Sequence, residues 1–267
     1  KTFVKFPFEL YKNDPYWVPP LIQDELDTFD KTKNPVFNNA EAYYYLAVKA
    51  GKIVGRIAAI INWEEVNNQG KRKVRFGWWD VIDDINVTAA LLEKVYELGR
   101  RNNMEHVEGP MGFSNLDKVG VVTEGFDRIS SMITWYNFPY YKEHLEQLGY
   151  VKEKEYLESV FSFSNIDIEP YSRAAEYIKK RYGFYCKNFT NTKDILPYID
   201  EMFDLFNKSY ARLASFVAIN EVQKNFIKEK YIGLVKPEYV KFVFNKEGKM
   251  VCFGIVMPSF SEALQKA

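Results

Sequence analysis

The stretch that decides the fold is residues 43–62, YYYLAVKAGKIVGRIAAIIN. It holds two runs rich in aliphatic and aromatic residues, 43–49 and 53–62, joined across Ala50-Gly51-Lys52. A glycine in so short a connection allows the positive φ that a tight hairpin turn requires. The sequence therefore predicts an antiparallel β-hairpin at this point.

The residues after the hairpin predict a third strand, a helix and a fourth strand. A third apolar run covers residues 74–81, and residues 87–98 then repeat apolar side chains at helical spacing. Asp84 or Asn86 is suited to cap this helix, because a short side-chain oxygen can accept a first-turn N–H. A strand-like run at 104–108 follows.

The rest of the chain predicts a late helix and then a second group of elements. The late helix covers residues 139–148, and we expect strands at 150–153 and 157–163 after it. The second group comprises helices at 169–183, 193–213 and 222–232 and a hairpin at 239–244 and 249–257.

The two predicted hairpins share a turn pattern. Gly51-Lys52-Ile53-Val54 opens a strand in the first, and Gly248-Lys249-Met250-Val251 does so in the second. This pattern suggests an internal duplication. We therefore divide the chain into residues 1–163 and residues 164–267, and we expect the second copy to be incomplete.

Composition and charge exclude several classes of function. Lys plus Arg and Asp plus Glu each total 36, so no basic surplus favours nucleic acid. No apolar run reaches the roughly 18 residues of a membrane span, and we expect no membrane partner. Cys186 and Cys252 lie far apart, no signal peptide is recognisable, and both residues are interpreted as buried structural cysteines. These features favour the cytoplasm.

The sequence has few candidate residues for binding a metal ion. The histidines are His106 and His144, and neither lies at ligand spacing from a cysteine or another histidine, so we expect no metal site. Three carboxylates near the end of the third strand could hold a cation, but they also suit the start of a helix, which we favour. They are Asp80, Asp83 and Asp84.

Aromatic residues make up 17% of the chain and cluster around the third strand and the late helix. They could line a groove, but we expect them to belong to the core. The members of the cluster are Trp78, Trp79, Trp135, Tyr136, Phe138, Tyr140 and Tyr141.

Several short motifs occur along the first 163 residues, among the predicted elements. They are Tyr140-Tyr141-Lys142-Glu143-His144-Leu145-Glu146-Gln147-Leu148-Gly149-Tyr150, Tyr16-Trp17-Val18-Pro19-Pro20-Leu21, Gly55-Arg56-Ile57-Ala58-Ala59, Glu108-Gly109-Pro110 and residues 120–126. The late-helix motif and the order of elements resemble the GNAT acyltransferase fold. More narrowly, the motifs resemble a bacterial group of tandem GNAT-like proteins.

The resemblance implies transfer of an acyl group from acyl-coenzyme A to an amine. It also implies a general acid on the late helix. Leu145 stands where the family often has a tyrosine, so Tyr141, one turn earlier, or the adjacent His144 is expected to serve. Glu108, at the end of the fourth strand, is expected to act as a base through a water. The alternative is that Glu108 caps or solvates the turn.

In the family, a glycine-containing turn with Arg or Gln before the long helix holds the pyrophosphate of the coenzyme. The matching residues 81–88 contain neither glycine nor a basic residue, and they place Asp83 and Asp84 where the pyrophosphate would lie. We therefore expect the coenzyme site in the second copy, with its phosphate turn beyond Ala267, and we assign no cofactor-binding residue.

The predicted fold class is α/β, with a GNAT-like mixed sheet flanked by helices and an incomplete second copy. The predicted function is an N-acyltransferase that uses acetyl-CoA or another acyl-CoA, with a small-molecule or amino-acid-like amine acceptor. The alternative is a non-catalytic GNAT-like binding or scaffolding domain, and aminoacyl or peptide transfer by tandem domains is a third class. We expect a monomer.

Overall fold

The computed structural model describes residues 1–114, 116–130, 134–213, 216–231, 233 and 235–266. The chain forms two compact units. Unit 1 consists of Lys1–Val151, Ser215–Val217 and Ser259–Ala267, and unit 2 consists of Lys152–Ala214 and Ala218–Pro258. The chain thus first leaves unit 1 after Val151, whereas the sequence suggested a division after residue 163. That either part is a GNAT-like copy stays a prediction.

Unit 1 combines helices with one mixed β-sheet. Its elements up to residue 147 are α1 (Thr2–Leu10), α2 (Ile22–Thr28), β1 (Ala40–Lys49), β2 (Lys52–Asn62), α3 (Trp63–Gln69), β3 (Lys73–Val81), α4 (Ile85–Arg101), β4 (His106–Glu108) and α5 (Tyr140–Gln147). These bounds confirm the predicted hairpin, third strand, long helix, fourth strand and late helix. The sequence missed α3, which Asn62 caps by accepting the N–H groups of Glu64 and Glu65.

Among the described residues, the sheet of unit 1 has the strand order β1-β2-β3-β4. The β1–β2 and β2–β3 pairs are antiparallel, and the β3–β4 pair is parallel. The hairpin turn places Ala50 at φ 49° and Gly51 at φ 77°. The α/β class and the mixed sheet flanked by helices are therefore confirmed.

Both faces of this sheet are buried, which explains the unbroken apolar run of β2. Ile57, Ala59 and Ile61 face the side covered by α4, and Ala58 and Ile60 face the opposite side. Successive side chains of a strand point to opposite faces, so a strand covered on both sides needs apolar residues at every position.

A β-bulge interrupts this alternation on β3. Arg56 pairs with Asp80 and Ala58 pairs with Gly77, so Trp78 and Trp79 together oppose one residue of β2. Trp78 takes the left-handed conformation, with φ 44°. The extra residue shifts the register by one and moves Asp80 to the face that carries Arg56. Without the bulge, Asp80 would point into the apolar layer beneath α4.

Unit 2 has a smaller sheet with the order β5-β6-β7 within the described residues, and both pairs are antiparallel. Its elements are α6 (Glu169–Tyr182), β5 (Tyr185–Asn188), α7 (Ile199–Tyr210), α8 (Glu221–Tyr231), β6 (Val240–Phe244) and β7 (Met250–Ile255). A last helix, α9 (Ser261–Lys266), belongs to unit 1.

Three predictions about the later chain are wrong. Residues 150–153 and 157–162 form no strand, and Phe163 begins a short 3-10 turn, because no neighbouring strand supplies hydrogen-bond partners. The helix predicted over 193–213 is confined to α7, because the turns before it include Pro197, which breaks a helix interior. Cys186 and Cys252 are exposed rather than buried. Cys186 on β5 and Cys252 on β7 are each paired with Val243 on β6, so the three side chains share one face of the sheet. The buried Phe242 and Phe244 lie on the opposite face, which carries the core of unit 2.

Within the described residues, no helix combines the length and the apolar character needed to cross a lipid bilayer.

Candidate functional site

Unit 1 contains a small polar cavity that is lined by residues of α1, α2 and the sheet and by residues 118, 130 and 134–136. Its volume is about 30 Å³, which is room for roughly two water-sized groups. Its polar lining consists of Glu25, Arg56, Asp80, Lys118, Ser130 and Thr134. Its apolar and aromatic lining consists of Pro7, Trp17, Val18, Pro20, Trp135 and Tyr136.

The floor of the cavity is the ion pair between Arg56 and Asp80. Arg56 Nε donates to Asp80 Oδ2 at 2.6 Å, and Arg56 Nη1 donates to the carbonyl oxygen of Phe3 at 2.9 Å. Both side chains are almost fully buried. The bulge on β3 makes this pair possible, because it brings Asp80 onto the same face as Arg56.

A chain of hydroxyl groups runs from Asp80 to the backbone at the end of β3. Tyr11 Oη donates to Asp80 Oδ1 at 2.9 Å, and Tyr141 Oη lies 2.9 Å from Tyr11 Oη. The Val81 N–H donates to Tyr141 Oη at 2.8 Å, and Tyr140 Oη donates to the Val81 carbonyl at 2.7 Å. The pairing of β3 with β4 ends at Arg75. Further along β3, at Val81, tyrosine hydroxyls form the backbone hydrogen bonds that a neighbouring strand would otherwise form.

Burial and the charge of Asp80 raise the pKa of Tyr11 and of Tyr141 well above the ordinary phenol value. Both side chains are at most 2% exposed. The two hydroxyls therefore stay protonated at neutral pH and act as hydrogen-bond donors, and Tyr141 can donate to Tyr11 or to the Val81 carbonyl, 3.2 Å away.

Glu25 and Lys118, the cavity pair, face the cavity with opposite charges and do not contact each other. Trp78 Nε1 donates to Glu25 Oε2 at 2.9 Å, and Lys118 Nζ lies 5.6 Å from the centre of the Trp135 ring. Neither side chain forms an ion pair with another residue that the structure describes. Burial raises the pKa of Glu25 against the effect of Arg56 and Lys118, and it lowers the pKa of Lys118 against the effect of Glu25 and Asp80.

The loop that holds Trp17 beside the cavity is fixed at several points. Asp14 Oδ1 accepts the N–H groups of Tyr16 and Trp17, and Asp14 Oδ2 accepts the Tyr136 hydroxyl. The side chain of Gln265 on α9 donates to the carbonyls of Pro15 and Trp17 at 2.9 and 3.0 Å. The last helix of the described chain thus acts as a strap across the loop at the cavity.

The structure connects Tyr141 to the cavity cluster, by which we mean Glu25, Arg56, Asp80 and Lys118. It places His144 elsewhere. Tyr141 reaches Asp80 through Tyr11, whereas His144, one turn later on α5, lies against the start of α4. His144 Nδ1 is 2.9 Å from Thr88 Oγ1, and Nε2 is 3.2 Å from Asp83 Oδ1. His144 is 5% exposed. The catalytic roles of Tyr141 and His144 stay predictions.

Glu108 belongs to a second ionic cluster, the paired cluster of Glu65, Lys73, Arg75 and Glu108. Glu65 Oε1 forms ion pairs with Lys73 Nζ at 3.0 Å and with Arg75 Nη2 at 2.7 Å, Arg75 Nε donates to Glu65 Oε2 at 2.8 Å, and Lys73 also contacts Glu108. Glu108 has 20% of its side chain exposed. No hydrogen bond or ion pair found among the described residues connects it to Tyr141 or His144, and its role as a base stays a prediction.

The start of α4 does not suit a pyrophosphate. Asp84 caps the helix by accepting the Asn86 N–H at 3.0 Å, and Asp84 also pairs with Lys49 at 2.7 Å. Asp83 lies beside it with 70% of its side chain exposed. A first-turn donor is therefore already used, and two carboxylates stand where the anion would bind.

The acidic residues around α4 do not form one cation site. Asp80 pairs with Arg56, Asp84 caps α4 and Asp83 contacts His144. Within the part of the chain that the structure describes, no group of three or more His, Cys, Asp or Glu side chains could hold a metal ion.

No pattern in the sequence predicted the cavity pair. Glu25 precedes the predicted hairpin, and Lys118 lies between the predicted fourth strand and the predicted late helix. Their meeting depends on tertiary packing, since 93 positions separate them in the sequence and neither belongs to a recognisable motif. The predicted aromatic core is right for Trp78 and Trp79, which are 3% and 5% exposed, whereas Trp135 and Tyr136 line the cavity.

Comparison with known proteins shows that the chain is similar to two bacterial proteins. The chain is 27% identical over 265 residues to Protein YghO of Escherichia coli, an alignment that covers 99% of this chain and 67% of that protein. It is 30% identical over 156 residues to Bacterial ceramide synthase of Caulobacter vibrioides, covering 58% of this chain and 41% of that protein. No protein-family model and no solved structure matches the chain.

Proposed function

We propose that the protein is an acyl-CoA-dependent N-acyltransferase of the GNAT type that acts on an amine acceptor. The observation that carries this proposal is the similarity over 156 residues to a relative named as a ceramide synthase. Ceramide is an N-acylated amine, so its synthesis forms an amide bond. The polar cavity at the end of β3 supports the proposal, because it offers charged and hydrogen-bonding groups to a small polar acceptor.

We further propose that unit 1 serves the acceptor and that the acyl-CoA binds in the second GNAT-like copy. The carboxylates at the start of α4 support this division, since they disfavour an anion there. Acyl transfer to an amine forms a C–N bond, breaks the thioester C–S bond and moves one proton from the amine nitrogen to a base. In unit 1, Tyr141 and His144 remain the proposed acids and Glu108 remains the proposed base.

The test compares the protein at its full natural length with the 267-residue chain. Each is titrated calorimetrically with acetyl-CoA and with a long-chain acyl-CoA, and is then incubated with the acyl-CoA and a sphingoid base. Thiol release and the amide product, the latter by mass spectrometry, are measured. We expect the full-length protein to bind acyl-CoA and release thiol with formation of an amide. Absence of both binding and thiol release would overturn the proposal.

A non-catalytic binding or scaffolding role for unit 1 is the second candidate. The observation that favours it is the start of α4, where Asp84 already occupies a helix N–H and the exposed Lys49 is already paired with Asp84. Binding of acceptor-like amines without any acyl transfer by the full-length protein would favour this candidate over the first.

A further inference from the structure

Unit 2 contains a long run of exposed chain, residues 152–183, which includes the whole of α6. Every residue of this run except Ile166 is exposed. No residue of α6 is buried, whereas α7 of the same unit buries Ile199, Met202 and Phe203. A helix of 14 residues is only marginally stable in water unless one of its faces packs on a surface. The helix therefore needs a partner surface that the described chain does not supply.

One face of α6 is a continuous apolar stripe, which we call the α6 stripe. Its side chains follow the first one by three, four, seven and eleven positions, which places them on one side of a helix. They are Tyr171, Ala174, Ala175, Ile178 and Tyr182, and all of them are exposed. An exposed helix that separates apolar from polar side chains in this way indicates a docking surface rather than a helix surrounded by water.

Basic side chains border the α6 stripe on both sides. At about 3.6 residues per turn, Lys179 and Arg181 lie about a quarter turn to either side of its centre. Lys179 pairs with Glu176 at 2.6 Å, but both side chains are exposed, and such a pair is weak enough to exchange for a phosphate. Arg181 forms no ion pair among the described residues and lies 5.5 Å from the centre of the Tyr182 ring. With four basic and two acidic residues, α6 has a net charge of +2.

This arrangement has the chemistry of a helix that lies in the surface of an anionic lipid bilayer. Such a helix buries its apolar face about 5–10 Å deep, and basic side chains at the border of that face extend to the phosphates. Tyrosine is favoured at the level of the headgroups, and Tyr171 and Tyr182 stand at the two ends of the stripe. A protein partner would need acidic residues opposite Lys179 and Arg181, whereas an anionic bilayer supplies phosphates at every position.

The segment that leads into α6 adds further exposed apolar side chains. Four large ones are each at least 64% exposed, and the last of them lies five residues before the helix begins. They are Leu157, Val160, Phe161 and Phe163. Large apolar side chains that are exposed next to an amphipathic helix extend the area available for insertion among lipid headgroups.

We propose that α6 and residues 157–163 bind the surface of an anionic phospholipid bilayer, with the α6 stripe toward the acyl chains and Lys179 and Arg181 at the level of the phosphates. This inference is independent of the proposed function. The expectation of no membrane partner was based on the lack of a membrane-spanning segment, which a helix lying in the bilayer surface does not need.

The test is sedimentation of the protein with phospholipid vesicles, in the absence of any acyl-CoA. The 267-residue chain and the protein at its full natural length are each mixed with vesicles of phosphatidylcholine alone and of phosphatidylcholine with phosphatidylglycerol. We expect both proteins to bind the phosphatidylglycerol vesicles at least about tenfold more tightly, because these vesicles carry the negative charge. High salt should weaken that binding by screening the charges.

One variant with a matched control tests the α6 stripe. Ile178→Asn should weaken binding to the phosphatidylglycerol vesicles by about tenfold, because it removes a large apolar side chain from the stripe. Ser172→Asn introduces the same side chain at an exposed position of α6 outside the stripe, and it should leave the affinity unchanged. Circular dichroism spectra establish that each variant is folded.

A double variant with its own control tests the basic border. Lys179→Gln combined with Arg181→Gln should weaken the binding by about tenfold or more. Lys12→Gln combined with Lys52→Gln removes the same charge at two exposed lysines elsewhere, and its effect should be far smaller.

Four results would overturn the inference. The first is no binding to either kind of vesicle, and the second is equal binding by the variants and their controls. The third is binding by the 267-residue chain that is lost at full natural length, because further chain would then cover the stripe. The fourth is a dimer, measured by light scattering, that Ile178→Asn dissociates and that binds no vesicle, because the partner would then be a second copy.

These results are separable from the fate of the proposed function. Acyl transfer by a full-length protein that binds no vesicle would refute the lipid surface and leave the enzyme. Vesicle binding with the expected pattern but without acyl transfer would refute the enzyme and leave the lipid surface.

Discussion

Among its described residues, unit 1 has two ionic clusters that differ in burial and in how completely their charges are matched. In the paired cluster, Glu65, Lys73 and Arg75 are each at most 3% exposed, and the Glu65 carboxylate contacts both cations. In the cavity cluster, Arg56 and Asp80 are matched, whereas Glu25 and Lys118 are not. Matched buried charges hold strands and loops together. Half-buried charges without an ion-pair partner, such as Glu25 and Lys118, carry a desolvation cost, and they mark a candidate binding site.

Glu65→Gln should have the largest effect on stability. It removes the carboxylate shared by Lys73 and Arg75, so the buried Arg75 guanidinium loses its ion pair with Glu65 and Lys73 keeps its contact with Glu108. Breaking a buried pair in this way costs about 3–5 kcal/mol. Urea denaturation followed by far-ultraviolet circular dichroism measures the loss. The adjacent Glu64→Gln, a partly exposed carboxylate, should change the stability by about 0.5 kcal/mol or less. Equal effects of the two changes would show that the paired cluster is not a scaffold.

Tyr141→Phe should have the next largest effect, because it interrupts the hydroxyl chain between Val81 and Asp80. The Val81 N–H loses its acceptor and Tyr11 loses a partner. An unsatisfied buried donor costs about 1–3 kcal/mol. If Tyr141 is also the general acid, turnover of the full-length enzyme should fall even at temperatures where the variant is fully folded. Normal turnover by a folded variant would leave the residue with a structural role alone.

Lys118→Met should raise the stability of the ligand-free chain. Burial lowers the pKa of Lys118, so the folded state binds its proton less tightly than the unfolded chain does. Its contribution to stability is therefore present above the ordinary lysine pKa of about 10.4 and lost as the pH falls through the lowered value. At neutral pH, removing the charge should stabilise the chain by about 0.5–2 kcal/mol. A fall in the melting temperature would contradict the contrast between the clusters.

Glu25→Gln should have the smallest effect, and its sign depends on pH. Burial raises the pKa of Glu25, so its contribution to stability is complete below the ordinary glutamate pKa of about 4.3 and is lost as the pH rises through the raised value. The stability of the variant should therefore rise relative to that of the wild type as the pH increases above about 4.3, by about 0.5 kcal/mol. Stability curves that stay parallel over this range would show that Glu25 is not penalised by burial.

Most of the sheet in unit 1 could be predicted, because its strands and main helix are set by local patterns. The apolar run of β2, the Ala50–Gly51 turn and the helical spacing from Val87 to Leu98 are each readable from neighbouring residues. The strands expected after Tyr150 failed for a complementary reason. A strand depends on a partner, and the β-prone residues of that segment, such as Leu157 at 87% exposure, have none.

The candidate site was much less predictable than the sheet. The one-residue bulge at Trp78 decides which face Asp80 takes, and no residue there signals it, since an aromatic residue at φ 44° is uncommon. Glu25 lies on α2 and Lys118 lies in an irregular segment, and only the tertiary structure brings the two together. Tyr141 was predicted through the late-helix motif, and its link to Asp80 depends on Tyr11, far away in sequence.

The helix α9 has a practical consequence for dissecting this chain into parts. Unit 1 is discontinuous in sequence, because residues 259–267 rejoin it after an excursion of about one hundred residues. A fragment that stops at Val151 would lack Gln265, and the carbonyls of Pro15 and Trp17 would lose their donor. Such a fragment would retain the residues that line the cavity, but it would lack the hydrogen bonds from Gln265 that hold the loop at Pro15 and Trp17. Isolating unit 1 by simple truncation would therefore give a misleading picture of its ligand affinity, whereas a version that joins the two pieces by a short linker would preserve it.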